Sequence, residues 1–194
     1  SEAFTSWIFH KFTHYFGDIG FGNSTSFYKA VNAVKNGFIR TESDELQYNL
    51  HVLLRYRLER WLFDGDLIAG DLESVWNEEF EKDFGLVIKY PSDGVLQDVH
   101  WSEGLFGYFP TYSLGNVYAG CLFEAMQGQL PELDQNLNSG NLTEATGWLA
   151  NSVHKHGSLY SPVDLIQGAC GFDITATPLI SYIEKKYSSM YGLT

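Results

Sequence analysis

Two histidines near the start of the chain have a spacing that can serve metal binding. His10 and His14 are four residues apart, which puts both imidazoles on one face of a helix, as in half of a zinc site. In the His-Glu-x-x-His motif, a glutamate follows the first histidine and acts as general base. Here Lys11 takes that position, and no third ligand follows from the spacing. The pattern therefore favours two histidines on a half-exposed helix, and we predict no metal ligands.

A second group of polar side chains recurs every three or four residues and would share one helical face. It consists of Asp44, Tyr48, His51, Arg55 and Glu59. Such a face is either exposed to solvent, with ion pairs along it, or part of a functional site. The spacing alone leaves both interpretations open. Arg40 lies just before this group, and its planar guanidinium could bind a carboxylate through two parallel hydrogen bonds.

A third candidate lies in a segment rich in glycine and aromatic residues. Asp98 and His100 form an Asp-x-His pair that can orient an imidazole. Tyr108 and Tyr112 follow near a turn, where tyrosine hydroxyls can donate hydrogen bonds to a developing oxyanion. Because buried histidines and tyrosines are also common in protein cores, this pattern indicates a site only in combination with other evidence.

The elements that would position these residues are helices. Apolar residues at helical spacing, with capping residues at the ends, predict helices over 1–16, 24–36, 41–63 and 71–84, from about 112 past 126, and after Thr143, Ser161 and Pro178. Between positions 86 and 110 glycine and proline interrupt the period. We therefore predict an all-α fold, with room for a short β-hairpin in the 86–110 segment. The length predicts a single helical domain over residues 1–194.

Charge and composition exclude several kinds of partner. The 194 residues carry 12 basic and 24 acidic side chains, a formal net charge of −12. This balance disfavours nucleic acid and anionic membrane surfaces as partners, because both require basic side chains. The first residues lack the features of a secretory signal, and the two cysteines do not make a disulfide framework. We therefore expect a cytoplasmic protein.

Several blocks of sequence resemble the carboxypeptidase Taq family of zinc metallocarboxypeptidases. Residues 39–48, Ile-Arg-Thr-Glu-Ser-Asp-Glu-Leu-Gln-Tyr, are similar to the family motif Ile-Arg-x-x-Ala-Asp-Glu-Leu-Thr-Tyr, with Ser43 and Gln47 in place of Ala and Thr. Residues 96–102 and 107–116 resemble the next two blocks, and the stretch from 156 to 187 resembles the family's tail. The likeness covers nearly the whole chain.

The resemblance implies an all-helical, often dimeric peptidase that removes single C-terminal residues from peptides. In the family, zinc activates a water molecule and the glutamate of His-Glu-x-x-His serves as base. That motif does not occur in these 194 residues. The chain thus resembles the C-terminal part of a longer enzyme with the zinc-binding N-terminal part absent. We expect no zinc in this chain and a chain that is inactive alone.

The resemblance also implies roles for particular residues in one wall of a substrate groove. Arg40 would hold the terminal carboxylate of a peptide, with Asp44, Tyr48 and His51 as further substrate-binding candidates. The catalytic candidates are Tyr108 and Tyr112, which would steady an oxyanion, and His100. The expected partners are peptides with a free C-terminus and further copies of the chain in a homo-oligomer. The alternative is a non-catalytic peptide-binding or interaction module.

Overall fold

A computed structural model describes residues 1–193, and among these it contains α-helices and short 3-10 turns but no strand. The prediction of an all-α fold is confirmed. The helices are α1 (Glu2–Phe16), α2 (Ser24–Val31), α3 (Tyr48–Asp64), α4 (Leu72–Phe84), α5 (Pro110–Gln129), α6 (Leu133–Ser139), α7 (Thr143–Ser152), α8 (Pro162–Cys170) and α9 (Thr177–Tyr191).

The helix ends follow the local capping chemistry in several places. The hydroxyl of Ser161 accepts a hydrogen bond from the backbone N–H of Asp164, and Pro162 occupies the first turn of α8. Gly65 and Gly85 close α3 and α4 in the left-handed conformation, which a residue without a Cβ adopts without strain. Helix α6 is missing from the sequence prediction, because its seven residues are too short for a clear period.

The expected β-hairpin in residues 86–110 does not form. This segment consists of a 3-10 turn at Pro91–Asp93 and successive turns. Side chains satisfy part of its backbone, since the Gln97 Nε2 donates to the carbonyl oxygens of Phe38 and Asp93, each at 3.0 Å. A backbone tied to side chains in this way has no need of a partner strand.

The prediction that the third helix begins at Thr41 is also wrong. Residues Arg40–Glu42 form a 3-10 turn, and α3 begins only at Tyr48. The carboxylate of Asp44 accepts hydrogen bonds from the backbone N–H groups of Leu46 and Gln47, each at 3.0 Å. A short acidic side chain that binds its own backbone two and three residues ahead stabilises a turn instead of a helix.

The described residues cluster into two compact units. The first unit contains residues 1–32 and 116–194, and the second contains residues 33–115. The core of the first unit consists of Cys121, Ala125, Met126, Leu133, Trp148, Ile166 and Cys170. The core of the second consists of Leu54, Leu58, Leu67, Trp76, Phe80, Phe84 and Ile88.

In residues 1–193 no helix combines the length and the apolar character that a membrane crossing demands.

Candidate functional site

The polar face of α3 is buried in the second unit. His51 and Arg55 have no exposed surface and Glu59 is 4% exposed. By contrast Leu50 and Leu53, two of the apolar residues whose spacing predicts this helix, are 41% and 52% exposed. The solvated interpretation of the polar face is therefore wrong, because its side chains form the interior of a polar network.

Asp98 stands at the centre of this network, between two arginines. Its Oδ1 accepts hydrogen bonds from Arg40 Nε at 3.1 Å and Arg40 Nη2 at 2.8 Å. Its Oδ2 accepts from Arg55 Nε at 2.6 Å, and Arg55 Nη1 donates to the carbonyl oxygen of His51 at 2.7 Å. The side chains are 6%, 0% and 11% exposed for Arg40, Arg55 and Asp98. Buried charges of this kind need partners. Both oxygens of Asp98 have them, whereas the Nη2 of Arg55 has no hydrogen-bond partner within residues 1–193.

The network is ionised at neutral pH. Burial by itself raises the pKa of the Asp98 carboxyl, but the charges and hydrogen bonds of Arg55 and Arg40 together bring that pKa below its usual value. Burial also lowers the pKa of Arg55 to about 10, which leaves its guanidinium charged. For Arg40, the contacts with Asp98 and Tyr48 outweigh burial and raise the pKa.

Aromatic rings surround the guanidinium of Arg40. Its Cζ lies 4.9 Å from the centroid of Tyr112 and 5.7 Å from that of Phe109, which are distances of cation–π contact. Its Nη1 donates to the hydroxyl of Tyr48 at 2.9 Å. Each terminal nitrogen carries two N–H bonds, and within residues 1–193 only one on each has a hydrogen-bond partner. The guanidinium thus has a fixed orientation with donor capacity left.

His100 and two tyrosines lie beside this guanidinium. The Nε2 of His100 is 3.0 Å from the hydroxyl of Tyr112. The ring centroids of His100 and Tyr108 are 5.6 Å apart, and those of Tyr108 and Tyr112 are 5.5 Å apart. The Nδ1 of His100 lies 3.9 Å from Asp98 Oδ1, too far for a hydrogen bond. Tyr112 is therefore the hydrogen-bond partner that orients this imidazole.

Glu59 holds the segment that carries His100 and Tyr108. Its Oε1 accepts a hydrogen bond from Trp101 Nε1 at 2.6 Å, and its Oε2 accepts from the backbone N–H of Gly107 at 3.1 Å. The segment is thus attached to α3 at a second point, in addition to the contact of Asp98 with Arg55.

The structure brings together five of the seven residues that the sequence predicts for the site, namely Arg40, Tyr48, His100, Tyr108 and Tyr112. Asp44 lies in the turn before α3, where backbone N–H groups bind its carboxylate. The ring of His51 packs on Phe84 with centroids 4.3 Å apart, and a peptide in solution has no access to it in this conformation. That any of the seven binds substrate or acts in catalysis stays a prediction.

Sequence reasoning did not place Arg55, Glu59 and Trp101 at the site. The spacing of Arg55 and Glu59 put them on the polar face, and the Asp-x-His pair singled out Asp98. Their partners lie 42 to 48 positions away along the chain, so no local pattern could show which of these side chains meet.

Comparisons with known proteins decide the family. The family model of carboxypeptidase Taq (M32) metallopeptidases matches residues 1–187. The chain belongs to the carboxypeptidase Taq (M32) family.

Relatives of this M32 chain are similar along almost its entire length. It is 40% identical over 192 residues to thermostable carboxypeptidase 1 of Thermus thermophilus, covering 99% of this chain and 38% of that protein. It is 41% identical over 167 residues to carboxypeptidase 1 of Bacillus subtilis, covering 86% of this chain and 33% of that protein. The solved M32 carboxypeptidase of Deinococcus radiodurans R1 superposes with a TM-score of 0.95 at 36% identity, covering all of this chain and 39% of that one. The chain thus spans little more than a third of the length of these relatives.

The M32 family consists of metallopeptidases, and the described residues do not fit a metal centre. No group of three His, Cys, Asp or Glu side chains within residues 1–193 could hold a metal ion. His10 and His14 are exposed on α1, and the carboxylate of Asp98 is engaged with two arginines. A catalytic zinc site uses three protein ligands and an open position. We therefore derive no catalytic step through a metal held by this chain.

Proposed function

We propose that this chain is part of a zinc metallocarboxypeptidase that hydrolyses C-terminal residues from peptides. In this proposal residues 33–115 supply part of the substrate groove, and the zinc ligands belong to parts of the family's fold outside this chain, which is inactive alone. The observation that carries the proposal is a sequence identity of 40%, over 99% of the length of this chain, to a protein named thermostable carboxypeptidase 1. The buried network around Arg40 supports it.

Arg40 suits recognition of a terminal carboxylate. Asp98 and Tyr48 fix its orientation, so little conformational entropy is lost when a ligand binds. The remaining N–H bonds on its two terminal nitrogens match the two oxygens of a carboxylate. Only 5% of the residue is exposed, so in this proposal the ligand reaches only the edge of the guanidinium that carries these N–H bonds.

Tyr112 and Tyr108 suit contact with the carbonyl group of the same peptide. Tyr108 is 45% exposed, and its ring lies against that of Tyr112. A phenol can donate a hydrogen bond to an oxyanion. The hydroxyl of Tyr112 is free to donate in this way when the His100 tautomer that carries a proton on Nε2 donates to its oxygen across 3.0 Å.

The proposal is tested with two peptides of the same sequence, one with a free C-terminus and one amidated. We expect the purified chain to bind the free peptide about tenfold more tightly, because a charge-assisted hydrogen bond is worth about 1.5 kcal/mol or more. Arg40→Lys should abolish the difference, since lysine lacks the two-pronged geometry. The matched control is Arg60→Lys at an exposed ion pair on the same helix-rich unit. Equal binding of both peptides by the wild-type chain would refute the role of Arg40.

Activity of the isolated chain is measured with the same free peptide. We expect that the isolated chain does not release C-terminal residues in a reaction that a chelator inhibits. Such release would refute the proposed inactivity, whereas binding without release also fits the alternative of a non-catalytic peptide-binding module. Adding the remaining part of an M32 relative decides between the two, because only a groove wall should restore hydrolysis.

We also propose that the chain self-associates and that it is cytoplasmic. Large apolar side chains are exposed, among them Tyr15 at 71%, Phe16 at 73% and Phe63 at 70%, and such surface favours association. Sedimentation over a range of concentrations tests self-association, and a monomer throughout would refute it.

The proposal of a cytoplasmic chain is supported by the cysteines. Both are free and buried, in keeping with a reducing compartment.

A further inference from the structure

The carboxylate of Glu59 contacts both ends of a short loop. Trp101 Nε1 donates to one of its oxygens at 2.6 Å, and the backbone N–H of Gly107 donates to the other at 3.1 Å. Glu59 lies on α3 and is 4% exposed. One buried side chain therefore contacts both ends of the loop from 101 to 107, which also contains a backbone hydrogen bond from the N–H of Leu105 to the carbonyl oxygen of His100 at 2.8 Å.

The two hydrogen bonds of Glu59 lie directly beside the residues on either side of the loop. His100 precedes Trp101 and Tyr108 follows Gly107, and their ring centroids lie 5.6 Å apart. Gly107 has a φ of 76°, a conformation that residues with a Cβ seldom adopt. The loop is thus closed at its base, directly beside the two aromatic side chains.

Both hydrogen bonds require a carboxylate. A carboxylate offers two acceptor oxygens, whereas the amide of glutamine offers one oxygen and one N–H₂ group that donates. Both partners of Glu59 are donors, so a glutamine in its place would set its N–H₂ group against one of them. The side chain has nearly the same shape, which leaves the packing of α3 largely unaffected.

We propose that Glu59 is a positioning residue of the peptide site, where it acts through Trp101 and Gly107 to hold His100 against Tyr108. This inference rests on the proposed function in so far as the two rings contact a peptide. Glu59 itself touches neither ring nor ligand, and its effect is on their placement.

The test uses the full chain with Glu59→Gln and the matched control Glu103→Gln, which removes the same charge at an exposed position of the same loop. Two quantities are measured by nuclear magnetic resonance, the chemical shift of the Trp101 indole proton and the cross-relaxation between the rings of His100 and Tyr108. A third is the affinity for the peptide with a free C-terminus. We expect Glu59→Gln to shift the indole proton upfield, to weaken the ring-to-ring signal and to lower the affinity about tenfold. Glu103→Gln should change none of them.

The results separate this inference from the proposed function. If the wild-type chain binds no peptide, the proposed function fails, and the ring-to-ring signal still decides whether Glu59 positions the loop. If Glu59→Gln leaves that signal and the affinity as in the wild type, the positioning role is refuted. If Glu59→Gln does not fold, Trp101→Phe decides, because it removes one hydrogen bond and keeps an aromatic ring. An unchanged ring-to-ring signal in Trp101→Phe would then overturn the proposal.

Discussion

Two histidines of the second unit differ in chemistry because their surroundings differ. The imidazole of His100 has a hydroxyl partner in Tyr112 at 3.0 Å. The ring of His51 is fully buried against Phe84, and within residues 1–193 neither of its nitrogens has a hydrogen-bond partner. Burial is the largest cause that lowers the pKa of His51 to about 4, and the charges of Arg55 and Arg40 add to it.

His51 should make the second unit sensitive to acid. Its pKa of about 4 in the folded chain lies below the ordinary value of 6.5, so the unfolded chain takes up the proton first as the pH falls. The stability that His51 contributes is complete above pH 6.5. It decreases as the pH falls toward 4, and this one contribution changes no further below that pH. The fall from 6.5 to about 4 corresponds to roughly 3 kcal/mol. His51→Phe should remove most of this loss, which urea unfolding at pH 7 and pH 4.5 measures through the amide signals of residues 33–115.

The control is His14→Phe, which removes an exposed histidine of the other unit. Asp98 acts in a different range, because its pKa lies below 3.8 and its contribution is lost only at more acidic pH. A wild-type chain with the same stability at pH 7 and pH 4.5 would show that the unfolded chain has no advantage in binding the proton. The acid sensitivity predicted from His51 would then be refuted.

Removal of the central carboxylate should destabilise the second unit strongly. Asp98→Asn leaves Arg40 and Arg55 close together with no negative charge between them. Breaking a buried ion network in this way costs about 3 kcal/mol. The exposed pair Arg60–Asp64 serves as the control, since Asp64→Asn removes a carboxylate from water-screened surroundings. Urea midpoints measure both, and equal effects would mean that the buried network contributes no more than a surface pair.

At the scale of elements, the sequence predicts the helices better than their orientation. The apolar period and the stop at Gly65 locate α3 and its end. The same period misassigns its faces, because Leu50 and Leu53 are exposed while Arg55 and Glu59 are buried. Periodicity identifies a helix with two unlike faces, but which face lies inside depends on contacts distant in sequence. The start of α3 fails for a local reason, since Asp44 stabilises a turn where Thr41 predicts a cap.

Two glycines on α5 should respond in opposite ways to alanine. A Cβ on Gly120 would lie 2.8 Å from the backbone nitrogen of Leu179 in α9, whereas a Cβ on Gly128 would meet nothing within 4 Å. In an open helix position, alanine is more stable than glycine by up to about 1 kcal/mol. We therefore expect Gly128→Ala to be neutral or stabilising and Gly120→Ala to lose about 1 to 3 kcal/mol. Thermal unfolding of the two variants checks the sign of each change, and a stabilising Gly120→Ala would contradict the close packing of α5 and α9.

At the scale of the whole molecule, the candidate chemistry is confined to one of the two units. The residues of the ion network, the two tyrosines and His100 all belong to residues 33–115. That unit also has an apolar core of its own, which packs beneath the network through Trp76, 4.7 Å from the Cζ of Arg55. His10 and His14 belong to the other unit. The histidine pair that first suggests metal binding and the residues that suggest peptide binding thus belong to different units.

This separation leads to a prediction about zinc. After equilibration with zinc and gel filtration, the chain should retain far less than one zinc ion per molecule, because a tight site requires about three protein ligands and none of the described side chains form such a group. Any weak binding should come from His10 and His14, so it should disappear in the double variant His10→Ala, His14→Ala. One zinc ion per chain that survives in the double variant would point to a site built between copies of the chain. The inactivity proposed for the isolated chain would then fall together with this prediction.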